Sequence, residues 1–405
     1  MTHGNIKKSW RAEKLSQLGS SIFAEVAEWK AEAYGSGLTV IDLGIGSPDG
    51  APRPEIREAL SSAVLREDCY SYPSSKGSLA FRKQAAAWMD KRFGVKVDAE
   101  DEVLALMGSQ DGLAHLALAI CNPGDLAIVP DPGYPIYSGS LAIAGVQPWY
   151  IPLLQQNDFV PDLDQVPDHI WRDAVFILLN FPGNPISTAV DAVFFEKLVA
   201  LARKWGVLII HDLAYSEMGF DGYKPLSILE ISGAIETAVE FHSFSKSFNM
   251  AGCRIGFLTG NREALGALRE LKGNMDFGVF EPIQEAAVLA LELAMDDLES
   301  GGIASLYERR RDLFVAELAR EGWSVPAPKA TMFIWAALPQ QWTLNSKGGG
   351  SRAFARDLLL KTGVAVIPGD AFGEQGEGFV RIALVQGEER LLEAARRIGE
   401  YLRRL

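Results

Sequence analysis

The sequence predicts an α/β fold: a large domain with a mostly parallel central sheet flanked by helices, and a smaller α+β domain formed by both chain ends. Three observations predict it. Short continuous apolar runs alternate with helix-like stretches, nearly every run ends in a polar or glycine-rich turn, and 405 residues suffice for two domains. Strands buried on both faces of a parallel sheet read as unbroken apolar runs, because neither face meets water.

The runs can be taken in order. Residues 38–43 lead into Gly44-Ile45-Gly46, and residues 103–107 into Gly108-Ser109-Gln110. Residues 126–129 precede Pro130-Asp131-Pro132-Gly133-Tyr134, and residues 174–179 precede Asn180-Phe181-Pro182-Gly183-Asn184-Pro185. Two more runs, 207–210 and 238–241, end in His211-Asp212 and His242-Ser243. Stretches such as 193–205 have helical spacing and supply the connections. In open α/β sheets ligands bind beyond the carboxyl ends of the strands, which is where these turns fall.

Residues 281–311 have helical periodicity and lead to a second region with strands at 331–336, 364–367 and 379–384. A helix over 20–33 is expected to pack on that region. The expected organisation is an N-terminal segment 1–45 packing on the small domain, a large domain 46–295 and a small domain 296–405. Asn345-Ser346-Lys347-Gly348-Gly349-Gly350 reads as a flexible surface loop.

Composition narrows the class. The chain is 48% hydrophobic and 22% charged, the mix of an ordinary globular protein. A net charge of −13 argues against nucleic acid and anionic membranes as partners, since both are polyanions. Cys69, Cys121 and Cys253 are scattered without metal-ligand spacing, so they read as reduced packing thiols, and no metal is expected. Met1 to Lys14 has no apolar core of a secretory signal, and no apolar run reaches the ~18 residues of a membrane span. The expected location is the cytoplasm.

One lysine carries most of the chemical signal. Lys246, in Ser243-Phe244-Ser245-Lys246-Ser247-Phe248, follows a buried strand, where desolvation lowers an amine's pKa and makes it a nucleophile for an aldehyde. Alone, it reads as a lysine snorkelling to solvent. Arg254, eight residues on in Ala251-Gly252-Cys253-Arg254-Ile255-Gly256-Phe257, changes the balance. Hydroxyl and guanidinium donors then stand where a phosphate could sit beside the amine.

With these motifs the chain resembles the fold-type I pyridoxal-phosphate aminotransferases of class I/II, over nearly its whole length. Gly108-Ser109-Gln110-Asp111-Gly112, Pro130-Asp131-Pro132-Gly133-Tyr134-Pro135 and Ile367-Pro368-Gly369-Asp370-Ala371-Phe372-Gly373 look closest to the LL-diaminopimelate, aspartate and alanine aminotransferase branch. The resemblance implies that Lys246 carries pyridoxal 5′-phosphate as a Schiff base. It implies phosphate contacts from Ser109, Gln110, Ser243, Ser245 and Arg254, with amides at a helix N-terminus suited to the anion. Tyr134 would stack on the ring, and Asp212 would hold the ring nitrogen protonated, making the ring an electron sink. Tyr215 and Asn184 would bond the ring oxygen. Arg381 would grip the substrate α-carboxylate in a bidentate pair, with Gly46 leaving room for it. Tyr72 would reach the phosphate of the neighbouring subunit's cofactor, which requires a homodimer; otherwise it is a surface turn tyrosine.

The implied reaction moves an amino group between an L-amino acid and a 2-oxo acid by a ping-pong scheme, with LL-diaminopimelate, aspartate, glutamate or alanine open as donor. One departure stands out: Asn184-Pro185-Ile186-Ser187 replaces the usual Asn-Pro-Thr-Gly. Lys272 reads either as a cation near the substrate side chain or as a solvated surface lysine. The alternatives to transamination are a pyridoxal-phosphate C–S lyase on the same fold, a non-catalytic ligand-binding homologue and a plain scaffold.

Overall fold

Apolar runs supply most of one central sheet in the computed structural model, which describes residues 10–18, 22–296, 302–345 and 349–405. Its strands are β2 (Val103–Leu106), β3 (Leu126–Asp131), β4 (Gln147–Pro152), β5 (Ala174–Leu179), β6 (Leu208–Asp212), β7 (Ala238–Ser243) and β8 (Gly256–Gly260). They lie in the order β2-β8-β7-β6-β5-β3-β4. The pairs from β4 to β7 are parallel, and β8 runs antiparallel to both β7 and β2. Side chains alternate between two cores: Ile177, Leu179 and Ile209 face one, and Phe176, Leu178 and Ile210 the other.

Two strands of this sheet carry no unbroken apolar run. β4 is largely exposed and holds Pro148 and Pro152, which suits its place at an edge. β8 is short and bounded by glycines; a Cβ at Gly256 would lie 2.6 Å from the His242 carbonyl oxygen.

A second set of strands lies outside the large sheet. β9 (Phe333–Ala337), β11 (Ile367–Pro368) and β12 (Phe379–Ala383) form an antiparallel sheet in the order β11-β12-β9. β1 (Ile41–Asp42) pairs in parallel with β10 (Val364–Ala365). The run 38–43, read together with the other apolar runs, is thus not a strand of the large sheet. The Ile41 and Leu43 amides donate to the Gly363 and Ala365 carbonyls at 2.8 and 2.9 Å, and the Leu43 carbonyl accepts from Ala383 at 2.7 Å. An apolar run marks a buried strand but not which sheet receives it. The run 364–367 is likewise divided, at Val366, between β10 and β11.

The helical stretch 281–311 is two helices, Glu281–Asp296 and Gly302–Arg320. Gly302 has φ 40°, so no continuous right-handed helix passes through it. Helix Ile22–Gly35 lies on helix Ser351–Thr362, with Arg356 paired to Glu32 at 2.8 Å and Arg352 paired to Glu25. The preceding 3-10 turn, Glu13–Leu18, instead lies on helix Pro135–Ala144 beside the large sheet. The N-terminal segment thus touches both layers. Part of the expected glycine loop lies outside the described residues. Within the described part, Gly349 accepts from Trp342 at 2.8 Å, and a Cβ at Gly350 would strike Glu377. Among the described residues no helix is long and apolar enough to cross a membrane, and all three cysteines are free.

Candidate active site

At the carboxyl ends of β5, β6 and β7 lies a cavity of about 210 Å³. Its walls include Gly46, Ser109, Gln110, Tyr134, Asn184 and Asp212, and also Tyr215, Ser243, Ser245, Lys246, Arg254 and Arg381. Of the residues singled out from the sequence, Tyr72 and Lys272 do not line it. Parallel strands open their carboxyl ends on one side, so turns distant in sequence converge there.

Lys246 sits on the single helical turn Phe244–Ser247 after β7, and its ammonium donates to the Gly46 carbonyl. Burial, with the nearby Arg381 and Arg254 charges, pushes its pKa down to about 8, while Asp212 opposes the shift. The amine is therefore a better nucleophile near neutral pH than a surface lysine.

Asp212 ends β6 and is buried. Its Oδ2 accepts from the Tyr137 hydroxyl at 2.8 Å, while Oδ1 has no hydrogen-bond partner among the described residues. Burial raises its pKa, and the Tyr137 bond and the His211 charge work against that rise. A buried carboxylate oxygen without a donor is costly, so the site is built for a donor that arrives with a ligand.

The helix Ser109–Ile120 begins at the cavity, with no side chain capping its first amides. Gly108 at its start has φ 76°, and a Cβ there would lie 2.6 Å from Nη2 of Arg254. Glycine thus lets the guanidinium approach the turn closely. Free amides, the Ser243 and Ser245 hydroxyls and Arg254 form one anion-seeking end of the cavity.

Arg381 lies on β12 at 1% exposure. It donates to Asn184 Oδ1 at 2.7 Å and to the Gly44 carbonyl at 2.6 Å, while its Nε has no partner among the described residues. The Phe333 and Phe372 rings lie 4.4 and 5.0 Å from its guanidinium carbon. Burial brings its pKa down to about 10, so it stays cationic at neutral pH. A Cβ at Gly46 would lie 3.0 Å from Phe333 and 3.8 Å from Arg381, which explains the glycine beside this cation.

Asn184 is held by its own amide, which donates to Asn180 Oδ1 at 2.8 Å, and Asn180 in turn donates to the Asp212 carbonyl. The Ser187 that departs from the family pattern is buried and bonds Thr331 at 2.5 Å and the Phe333 carbonyl at 2.8 Å. It fastens the turn to β9. Tyr215 is buried edge-on to Phe333, and burial raises its phenol pKa, so it remains a donor.

The sequence reading missed Tyr137, Asn180 and Phe23. Tyr137 is three residues after Tyr134, and that spacing is the one signal that could have placed it in the cavity. Phe23 comes from the N-terminal helix and lines the mouth, which no local pattern reveals.

Two expectations need different treatment. Tyr72 is 87% exposed and packs its ring against Phe277 at 5.4 Å, outside this chain's cavity. Lys272 corrects the surface reading: it is fully buried and paired with Asp111 at 2.5 Å and Asp276 at 2.7 Å. Those two carboxylates also occupy it, which removes it as a free cation for substrate.

Pyridoxal 5′-phosphate demands an amine, a carboxylate for its ring nitrogen, donors for its ring oxygen, an aromatic face and a phosphate cradle. The unpartnered Asp212 Oδ1 and the Gly108–Arg254 cradle are what that group would fill, so the residues present fit it.

Comparison with known proteins gives a concordant result. The family model for class I and II aminotransferases matches residues 39–398. An LL-diaminopimelate aminotransferase of Gloeobacter violaceus is 42% identical over 388 residues, 96% of this chain and 97% of that protein. Among solved structures, a probable N-succinyldiaminopimelate aminotransferase of Thermus thermophilus is 41% identical with TM-score 0.86, covering 94% of this chain and all of that one. Substrate-bound BacF of Bacillus subtilis is 33% identical with TM-score 0.91, covering 97% and 98%.

Proposed function

The chain belongs to the class I and II aminotransferase family, and on that premise we propose that Lys246 is its cofactor-bonding lysine and LL-diaminopimelate its amino donor. The protein is a pyridoxal-phosphate-dependent aminotransferase, acting between an amino acid and a 2-oxo acid. The named relatives favour this over the C–S lyase reading.

The observation that carries the site assignment is the joint enclosure of Lys246, Arg381 and the unpartnered Asp212 oxygen in one cavity. When bound, the cofactor supplies an aldehyde carbon for amine exchange and a protonated ring that takes up the electron pair released at the substrate α-carbon. The residues of this chain do the rest. Arg381 exchanges its bond to Gly44 for the substrate α-carboxylate and orients the α-proton toward Lys246. The Lys246 amine, with a pKa lowered to about 8, removes that proton and redelivers it, acting as both base and acid. Asp212 would keep a proton on the ring nitrogen, Tyr215 and Asn184 would donate to the ring oxygen, and Tyr134 would offer the ring an aromatic neighbour. The helix amides at Ser109 and Gln110, the hydroxyls of Ser243 and Ser245, and Arg254 hold the phosphate.

Assembly as a homodimer completes this reading. Exposed Tyr70 packs on exposed Phe280 at 5.6 Å and exposed Tyr72 on exposed Phe277 at 5.4 Å, with exposed Met275 two residues before Phe277, an apolar surface suited to a second copy. Tyr72 would then serve the partner's phosphate site. Three free thiols suit a cytoplasmic location.

The test is titration of the yellow holoenzyme with single amino acids, following loss of the cofactor's visible band. LL-diaminopimelate should bleach it, and Lys246→Ala should not be bleached by any donor. Rapid bleaching by aspartate or alanine with none by LL-diaminopimelate would overturn the substrate assignment. A fully active Lys246→Ala enzyme would overturn the lysine.

A further inference from the structure

Behind Asp212, on the opposite face of the sheet, lies a buried charged cluster that the reaction scheme does not use. β6 and β7 pair so that His211 sits beside Glu240, while Asp212 sits beside Phe241. Side chains alternate along a strand, so Asp212 faces the cavity and His211 faces away from it. His211 and Glu240 have no solvent exposure, and His242 has 3%.

Glu240 receives four donors. Its Oε1 accepts from Ser227 Oγ at 2.7 Å and His242 Nε2 at 2.8 Å, and its Oε2 from His211 Nδ1 at 2.8 Å and the Ile228 amide at 2.9 Å. Ser227 Oγ itself accepts the Leu229 amide at 3.1 Å, which leaves its proton for Glu240. A carboxylate with both oxygens filled by donors is ionised.

That fixes the state of His211. Its Nδ1 meets the Glu240 carboxylate, and its Nε2 meets the Phe181 carbonyl oxygen at 3.0 Å. Neither partner can donate a proton, so both ring nitrogens must carry one.

We propose that His211 is a positioning residue held as an imidazolium by Glu240, and that its charge keeps Asp212 ionised for the cofactor ring nitrogen. The second half rests on the reading of Asp212 given above. The other titratable groups around the cluster are His242, and Glu230, whose carboxylate accepts from the Ser227 amide. Around Asp212 they are Tyr137, Tyr134, Tyr215 and Lys246. Beside these, His211 is attached directly to the Asp212 backbone, and it precedes His242 among the charges that favour the ionised carboxylate. A buried ion pair adds little stability over an apolar pair of the same size, so its value here lies in the charge that it places.

The test uses the full chain with pyridoxal 5′-phosphate bound and 15N-labelled histidine. The chain has five histidines, and replacing the other four in turn assigns the His211 signals by elimination. In the folded holoenzyme both His211 ring nitrogens should carry a proton, as their two acceptor partners require. One unprotonated His211 nitrogen at pH 8 would overturn the proposal, and this arm requires no change at His211. In His211→Gln, which keeps a donor but no charge, the aspartate 13Cγ titration should place Asp212 at least tenfold higher in proton affinity. An unmoved Asp212 midpoint in a folded variant would overturn the coupling. Asp212→Ala tests the site reading separately: unaltered cofactor binding and spectrum there would end that reading without touching the His211 result.

Discussion

The Tyr137 hydroxyl donates to Oδ2 of Asp212 at 2.8 Å, across a buried boundary between helix Pro135–Ala144 and β6. Among the described residues it is the one side-chain donor to this buried carboxylate, and it opposes the rise in pKa that burial imposes. Tyr137→Phe removes it at a cost of about 1–3 kcal/mol. The Asp212 pKa, already raised, rises further, so the ionised form needed behind the ring exists only at higher pH. Activity at neutral pH should fall by up to roughly 5- to 150-fold, and the acid limb of the kcat/KM profile should move to higher pH. An acid limb that stays in place would exclude this role.

Lys246 sets a second pH dependence. Its folded-state pKa is about 8, against 10.5 for the free side chain. The folded chain therefore binds fewer protons than the unfolded chain between these values, and the cofactor-free enzyme gains stability as pH rises through that window. Capture of pyridoxal 5′-phosphate should accelerate up to about pH 8 and then level, because the neutral amine is the nucleophile. Stopped-flow absorbance measures the rate, and Lys246→Met should remove both effects. A capture rate still climbing near pH 10 would place the amine in water.

Lys272 anchors the helix that opens at the cavity. It pairs with Asp111, in the first turn of Ser109–Ile120, and with Asp276. Lys272→Met leaves two carboxylates without their cation and should cost about 3–5 kcal/mol, lowering the thermal midpoint by several degrees. Burial works to raise the Asp111 pKa, but Lys272 overrides it, with a net lowering from 3.8. This pair's stabilisation is thus present above that value and is lost as pH falls through the lower folded pKa. Acid unfolding should begin at a higher pH in the variant than in the wild type. Thermal melts at pH 7 and pH 4 check both effects, and a variant as stable as the wild type would refute the anchoring role.

Strand chemistry was legible because it is local. A run such as residues 174–179 must be buried whatever surrounds it, and β5 occupies those same residues. The lysine, the phosphate turn and the acidic partner each follow a strand, so the alternation of elements already gathered them at one edge. Local pattern also located Arg381 and Gly46, through the family resemblance.

What required the tertiary structure was long-range pairing. The run at 38–43 reads locally as a strand like the others, yet its amides find Gly363 and Ala365 instead of the large sheet. Lys272 looks like any lysine until Asp111, 161 residues away in sequence, meets its ammonium. Tyr137, Phe23 and the His211–Glu240 pair depend on helix packing and strand register, which apolar periodicity does not encode. The sequence by itself carried the motifs on which the proposed chemistry rests, because Lys246, the turn at Gly108-Ser109-Gln110, Asp212 and Arg381 belong to local patterns that the family resemblance reads. The tertiary structure decided which charges are buried and against what, because desolvation and ion pairing depend on neighbours distant along the chain.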